Sequence, residues 1–336
     1  MTAASPIRRL VGVALNAAID KTVAVDRLLP GEIHRPEVLA VVPGGKAANT
    51  VRAAAHLGIP GAVVAVLGGQ AGAWYAEALR VRSIALHAVD QPGETRTCLS
   101  VLDRSTGRLT EFYEPGLELG PDAWQAIEDA LAAALAPDPE RTLVVLAGSL
   151  PPGTPEDAYR RLGRLAADTS ATWTVDIPGI PLMAALEASP WLVKLNQDEA
   201  ATTAGIHSTS QADLVRAADW LRSHGARNVL ITLGRDGSIL VTDEGAWRCD
   251  PSPVVGLYPV GSGDALLAGL SAACARGEPL SEAVRYAGAV AAANALVPGQ
   301  GDLDTDAVHD IDERIGIAPI RAPDGRVPTR RAPTTG

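Results

Sequence analysis

The residues with the clearest chemical potential form a glycine-rich turn, Pro259-Val260-Gly261-Ser262-Gly263-Asp264-Ala265, which opens directly into a helix-patterned run ending near Arg276. Backbone N–H groups at such a helix start have no intrahelical partner and can hold an anion, and glycine lets a phosphate approach the chain closely. Asp264 would then stand beside a phosphoryl group in transit, placed to take a proton from an attacking hydroxyl. An aspartate there can equally do no more than complement the helix dipole. A second segment, Asn196-Gln197-Asp198-Glu199, follows Lys194 at the end of an apolar run. Its Asn and Glu three apart spell a helix capping box, and the same two side chains could organise the water shell of Mg²⁺, which keeps much of its water when protein-bound. Both readings can hold at once. Gly44, Gly45, Lys46 and Asn49 precede or open an alanine-rich run; the paired glycines allow close backbone approach to a ligand, or simply a loop-to-helix turn, and Asn49 can bind hydroxyls. Gly148-Ser149-Leu150-Pro151-Pro152-Gly153 ends a further apolar run, where open α/β sheets bind ligands.

Four separated segments can meet only on a scaffold that carries them to one edge. Near-continuous apolar runs at Leu10–Leu15, Ala62–Leu67, Thr142–Ala147, Thr172–Asp176, Trp191–Leu195 and Asn228–Thr232 read as strands buried on both faces. Helical patterns cover Ala47–Leu57, Pro121–Leu135, Thr154–Ala167, Gln211–His224, Ala265–Arg276 and Ser281–Leu296. That alternation predicts an α/β fold, a mainly parallel sheet covered by helices. Two stretches, Lys21–Val42 and Thr95–Tyr113, instead alternate polar and apolar residues, the second around a turn signal at Ser105-Thr106-Gly107. They predict a small β-sheet projecting from the main domain. The expected organisation is one domain over residues 8–316, with the projecting segments at about 17–43 and 95–115. Residues 317–336 are rich in Pro and Arg without periodicity and read as a mobile tail.

Composition narrows the classes. The 336 residues are 47% hydrophobic, enough for a substantial core. No apolar run is long enough to span a bilayer and no signal-type stretch follows Met1, so the sequence predicts a cytoplasmic protein. A net charge of −10 without a basic stretch in the body argues against nucleic acid or an acidic membrane as partner. Cys98, Cys249 and Cys274, and six scattered histidines, show no zinc or disulfide spacing. Lysine occurs only at 21, 46 and 194, and two of those three fall inside the segments above.

In their order along the chain, these segments resemble the PfkB (ribokinase-like) carbohydrate kinases from about Leu10 to Asp312. Leu15-Asn16-Ala17-Ala18-Ile19-Asp20, Pro30-Gly31-Glu32-Ile33-His34-Arg35, Gly93-Glu94-Thr95-Arg96 and Gly148–Gly153 are most similar to the branch holding 1-phosphofructokinase and tagatose-6-phosphate kinase. The resemblance implies a ribokinase-like three-layer α/β/α fold whose projecting sheet is a lid over the sugar, often paired with the lid of a second subunit. It implies ATP as phosphoryl donor, Mg²⁺, and Asp264 as catalytic base with Gly261, Ser262 and Gly263 forming the anion hole. Asn196 and Glu199 would be the Mg²⁺-linked pair through water, and Lys194, Asn196, Thr232, Gly234 and Gly237 would face the nucleotide. Asp20, Gly44, Gly45, Lys46, Asn49 and Ser149 would line the sugar site. The adenine pocket would involve Ala291–Gly299. A monovalent-cation requirement stays open. Ala17, Ala47, Leu195 and the run Asp176-Ile177-Pro178-Gly179 depart from the branch and bear on which sugar is used. Arg35 and Arg96 lie in the lid segments, where guanidinium groups could converge on a phosphate already present on the sugar. The expected substrate is therefore a phosphorylated ketohexose of the fructose 1-phosphate or tagatose 6-phosphate type. The alternatives are a kinase of an unphosphorylated sugar or nucleoside, in which both arginines are solvated strand-edge residues, and a sugar-phosphate or nucleotide sensor without turnover.

Overall fold

A computed structural model describes residues 7–321. Its strands are β1 (Arg9–Ala14), β2 (Ala18–Val25), β3 (Glu37–Gly44), β4 (Gly61–Leu67), β5 (Ala85–Asp90), β6 (Arg96–Asp103), β7 (Arg108–Tyr113), β8 (Thr142–Ala147), β9 (Thr172–Asp176), β10 (Leu192–Asn196), β11 (Asn228–Thr232), β12 (Ser238–Thr242), β13 (Gly245–Cys249) and β14 (Ile317–Arg321). Ten of them make one sheet in the order β14-β13-β12-β11-β10-β9-β8-β1-β4-β5. From β11 to β5 every neighbouring pair is parallel, and β12, β13 and β14 are added antiparallel. The chain runs outward from β1 through β4 to β5, then returns to β8 on the other side of β1. This reversal is a topological switch point, and the carboxyl ends of β1 and β8 flank the crevice it leaves.

The apolar runs form strands because both sheet faces are covered. Val11 and Val13 of β1 pack into one helical layer, with Ile127, Leu131 and Leu162. Leu10 and Ala14 point the other way, toward Val51, Leu267 and Val290. Fully burying each such Val or Leu contributes roughly 1.5–3 kcal/mol. The expected three-layer α/β/α architecture is present.

The remaining strands form the projecting sheet in the order β3-β2-β6-β7, with β2 parallel to β6 and both outer pairs antiparallel. The expected turn is there: Thr106 and Gly107 donate their N–H groups to Asp103 O at 3.3 and 2.8 Å. The tail needs correcting. Ile317–Arg321, expected to be aperiodic, pairs with β13 as the edge strand, and Arg321 makes a two-pronged ion pair with Asp219 at 2.6 and 2.8 Å. The rest of the expected tail, 322–336, lies outside the described residues. Among the described residues, no helix is long and apolar enough to cross a membrane.

Candidate active site

A cavity of about 670 Å³ opens at the carboxyl ends of β1, β8, β9 and β10, roofed by the projecting sheet. Asp264 lies in the first turn of helix Ser262–Ala275, which starts from Gly261 in the left-handed conformation, φ +87°. That conformation favours glycine and turns the chain sharply into the helix. Ser262 N donates to Pro259 O at 3.1 Å and Asp264 N to Gly261 O at 3.0 Å. The N–H groups of Gly261 and Gly263 have no acceptor among the described residues and stand at the positive end of the helix dipole.

Asn49 joins two of the acidic groups of the cavity, Asp20 and Asp264. Helix Lys46–His56 presents it so that Nδ2 donates to Asp264 Oδ2 at 3.1 Å and Asp20 Oδ2 at 3.3 Å. Burial pushes the Asp264 carboxyl up to about 7; Lys194 opposes that shift, neighbouring Asp176 adds to it, and Lys46 opposes it again. Burial likewise pushes Asp20 up to about 6, against its bond from Asn49 and the charge of Arg52. Both carboxyls are thus held well above the ordinary carboxylate range, toward the pH at which a general base is most useful. Gly44 makes room for Asp20: a Cβ there would fall 2.1 Å from the carboxylate.

Asp176, which sequence reasoning did not select, sits between the two lysines that it did. Its Oδ1 is 3.1 Å from Lys46 Nζ and its Oδ2 is 2.5 Å from Lys194 Nζ. Burial opposes its charge, but Lys194 and Lys46 hold the carboxyl below its usual range. Partial burial also opposes the Lys46 charge, and Asp176 followed by Asp264 holds it above its ordinary value. A Cβ at Gly263 would lie 3.1 Å from Lys194 Nζ, which puts that ammonium beside the free amide. A clue was present in the sequence: Asp176 closes an apolar strand at the sheet edge that binds ligands.

Ser149 lines the same cavity and accepts from Asn16 Nδ2 at 2.8 Å. Asn196 and Glu199 line it too and form the complete capping box, with Glu199 N donating to Asn196 Oδ1 and Asn196 N donating to Glu199 Oε2, both at 2.9 Å. Gly45 lines the cavity, whereas Gly44 backs it through Asp20. Arg96 opens β6 at the rim, where its two terminal nitrogens donate to Glu114 O and Asn16 O at 3.2 Å each. Among the described residues no carboxylate ion-pairs with it. Arg35 is not brought in: it is exposed in the segment between β2 and β3 and does not line the cavity. Of the two lid arginines, Arg96 is the one that lines the cavity, together with Lys46 and Lys194. Cys98, Tyr113 and Gln300, which also line the cavity, were not singled out from the sequence.

Thr232 and Gly263 connect this space to a second cavity of about 310 Å³. Gly234, Gly237 and Ser262 line that second space, together with Val254, Val255, Ala291, Ala292 and Ala295. A larger chamber lined by several charged side chains thus meets a smaller, more apolar one at the turn bearing Asp264. The family model for the pfkB family carbohydrate kinases matches residues 11–306. The chain belongs to the pfkB family of carbohydrate kinases. As a pfkB kinase it is an ATP-dependent phosphotransferase acting on an alcohol group. It is 37% identical over 269 residues to the 1-phosphofructokinase of Xanthomonas campestris pv. campestris, covering 78% of this chain and 83% of that one. It is 28% identical to the ATP-dependent 6-phosphofructokinase isozyme 2 of Mycobacterium tuberculosis, over 90% of this chain and 88% of that one. Its backbone superposes with a TM-score of 0.83 on phosphofructokinase-2 from Escherichia coli in complex with substrates and products, at 27% identity, covering 92% of this chain and 99% of that chain.

Proposed function

We propose that this pfkB kinase transfers the γ-phosphoryl group of ATP to a hydroxyl of a ketohexose phosphate, fructose 1-phosphate foremost. The observation that carries the substrate class is Arg96, a guanidinium fixed by two backbone carbonyls at the rim of the sugar cavity with no carboxylate among the described residues ion-paired to it. A free hexose gives such a cation nothing to pair with, whereas a sugar phosphate supplies a charge-assisted, two-pronged acceptor. The 37% identity to a 1-phosphofructokinase favours the 1-phosphate over tagatose 6-phosphate and over an unphosphorylated sugar or nucleoside.

In this reading the sugar lies along Asp20, Asn49 and Ser149 with its phosphate toward Arg96. Asp264 accepts the proton of the attacking hydroxyl, Gly263 N–H and Lys194 hold the charge of the transferring group, and Lys46 lies within reach of the same phosphate. Transfer is in line and depends on positioning and electrostatics, without a covalent enzyme intermediate. ATP occupies the second cavity, its adenine against Val254, Ala291 and Ala295. Among the described residues no three-ligand metal cluster exists. That suits Mg²⁺ arriving on the ATP phosphates, with Glu199 Oε1 and Asn196 as the residues that would hold its water; there it would neutralise phosphate charge.

A panel of fructose 1-phosphate, fructose 6-phosphate, tagatose 6-phosphate, free hexoses, pentoses and nucleosides, each with ATP and read by ADP release, tests the assignment. Fructose 1-phosphate is expected to give the highest kcat/KM by at least about tenfold. A preference for any uncharged acceptor would end the sugar-phosphate reading.

The lid supports a second element of the proposal, a homodimer. Phe112 of β7 and Val38 and Val41 of β3 are 55%, 54% and 36% exposed; Phe112 lies in register with Leu99, Lys21 and Val41 across the sheet, on the lid face opposite the one that carries Asp20, Cys98 and Tyr113 to the cavity. Such a grouping of large apolar side chains marks an association surface. Phe112→Glu should shift the mass measured by light scattering from dimer to monomer; an unchanged mass would place the interface elsewhere.

A further inference from the structure

The helix Leu280–Asn294 ends on a side chain that falls within the expected adenine stretch Ala291–Gly299 but lines neither cavity. Asn294 is completely buried. Its Oδ1 accepts from Gly301 N at 2.8 Å, while its Nδ2 faces Val260 O at 3.0 Å and both Tyr258 O and Ser262 Oγ at 3.4 Å. An amide nitrogen carries two protons, so the Val260 carbonyl takes one and the more distant pair share the other. One side chain therefore ties together two turns about forty residues apart in sequence.

Those turns are in contact: a Cβ at Gly261 would lie 2.9 Å from Gln300 Cα. Gln300 O in turn accepts from Arg52 Nη1 at 2.6 Å, and Arg52 sits one helical turn beyond Asn49, whose amide bonds Asp20 and Asp264. The Asp264 turn and the Asn49 helix are thus fastened to each other from behind through Asn294, the Gly299–Gly301 turn and Arg52. Fixing the Val260 carbonyl fixes the plane of the peptide that leads into Gly261, and with it the direction of the Gly263 N–H. A displacement of about 1 Å in such a constellation can cost about a hundredfold in rate, even when binding is intact.

We infer that Asn294 is a positioning residue for phosphoryl transfer, holding the turn Val260–Gly263 in the orientation that aims Gly263 N–H and Asp264 at the transferring group. The inference rests on Asp264 being the base. A buried amide that only satisfied stray carbonyls would support stability alone, so the test separates the two roles. Asn294→Ala and Asn294→Asp are assayed beside Ile311→Ala, a fully apolar core truncation on helix Thr305–Asp312 at a residue that lines neither cavity. Asn294→Asp keeps an acceptor for Gly301 N but has no N–H for Val260 O.

With ATP and fructose 1-phosphate both saturating, kcat should fall about ten- to a hundredfold in both Asn294 variants, with each KM within about threefold of wild type. Ile311→Ala should lower Tm while leaving kcat within about twofold. Wild-type kcat in either folded Asn294 variant overturns the inference, as does an equal loss in Ile311→Ala. Asp264→Asn, run in parallel, keeps the outcomes apart: an active Asp264→Asn removes the base assignment itself, whereas an inactive one beside fully active Asn294 variants removes only the positioning role.

Discussion

Asp264→Asn is expected to lower kcat by about a hundredfold or more while ATP affinity changes by no more than a few-fold. The variant keeps the shape of the side chain and its contact with Asn49 but cannot take a proton from the sugar hydroxyl. Because burial raises the Asp264 carboxyl of the free enzyme to about 7, wild-type kcat/KM should also fall, approaching tenfold per pH unit, below about pH 7, as the base becomes protonated. Stability should move the opposite way. An aspartate whose native pKa lies above its unfolded value binds a proton on folding throughout the window between them, so its contribution to stability declines as pH rises from about 4 to 7 and stays unfavourable above. Removing that ionisation should raise Tm of Asp264→Asn above wild type at pH 8 by roughly a few degrees, with the gap closing as pH falls toward 4. Loss of activity accompanied by a gain in Tm identifies a charge kept for chemistry at a cost in stability. Near-normal turnover would remove Asp264 from the reaction, and a lower Tm at pH 8 would show that its charge supports the fold.

The sequence disclosed what depends on local pattern and concealed what depends on register and on contacts between distant segments. Strands such as Thr142–Ala147 were legible because burial on both faces demands an unbroken apolar run, and the lid because a sheet with one wet face demands alternation. Helix Gly69–Val81 was not, since it begins on glycines without a side-chain cap and buries few residues. The edge strand Ile317–Arg321 was hidden by a proline and by arginine, one of which spends its charge on Asp219. The glycine turn before Asp264 and the capping box stood out because their glycines and cap residues are dictated by backbone geometry. Asp176 did not, because a single aspartate acquires meaning only when β9 and β10 bring Lys194 beside it and the switch point brings Lys46. The two lid arginines looked equivalent as letters. Only the pairing of β6 with β2, Arg96 opposite Ala18, turns one of them into the cleft.

That distinction leads to the largest expected change in specificity. Arg96→Ala should reduce kcat/KM for fructose 1-phosphate by about a hundredfold or more, leave the KM for ATP within about twofold, and leave the slow phosphorylation of free fructose nearly unchanged. The guanidinium is half-buried and held by two carbonyls, so it is already oriented before the sugar phosphate arrives and loses little freedom on binding it. Deleting it leaves a dianionic phosphate at the rim without its cation, which costs on the order of a few kcal/mol. Arg108→Ala, exposed on β7, is the matched comparison and should change kcat/KM by less than about twofold, since isolated surface charges contribute little. Ionic strength supplies an independent axis. Raising salt should raise the wild-type KM for the sugar phosphate through screening of an approach across the lid rim, and this slope should flatten in Arg96→Ala, while the KM for free fructose responds to salt in neither protein. Equal losses against fructose and fructose 1-phosphate would mean that Arg96 braces the lid through Asn16 and Glu114 and reads no phosphate, and the substrate class would then have to be sought among uncharged sugars.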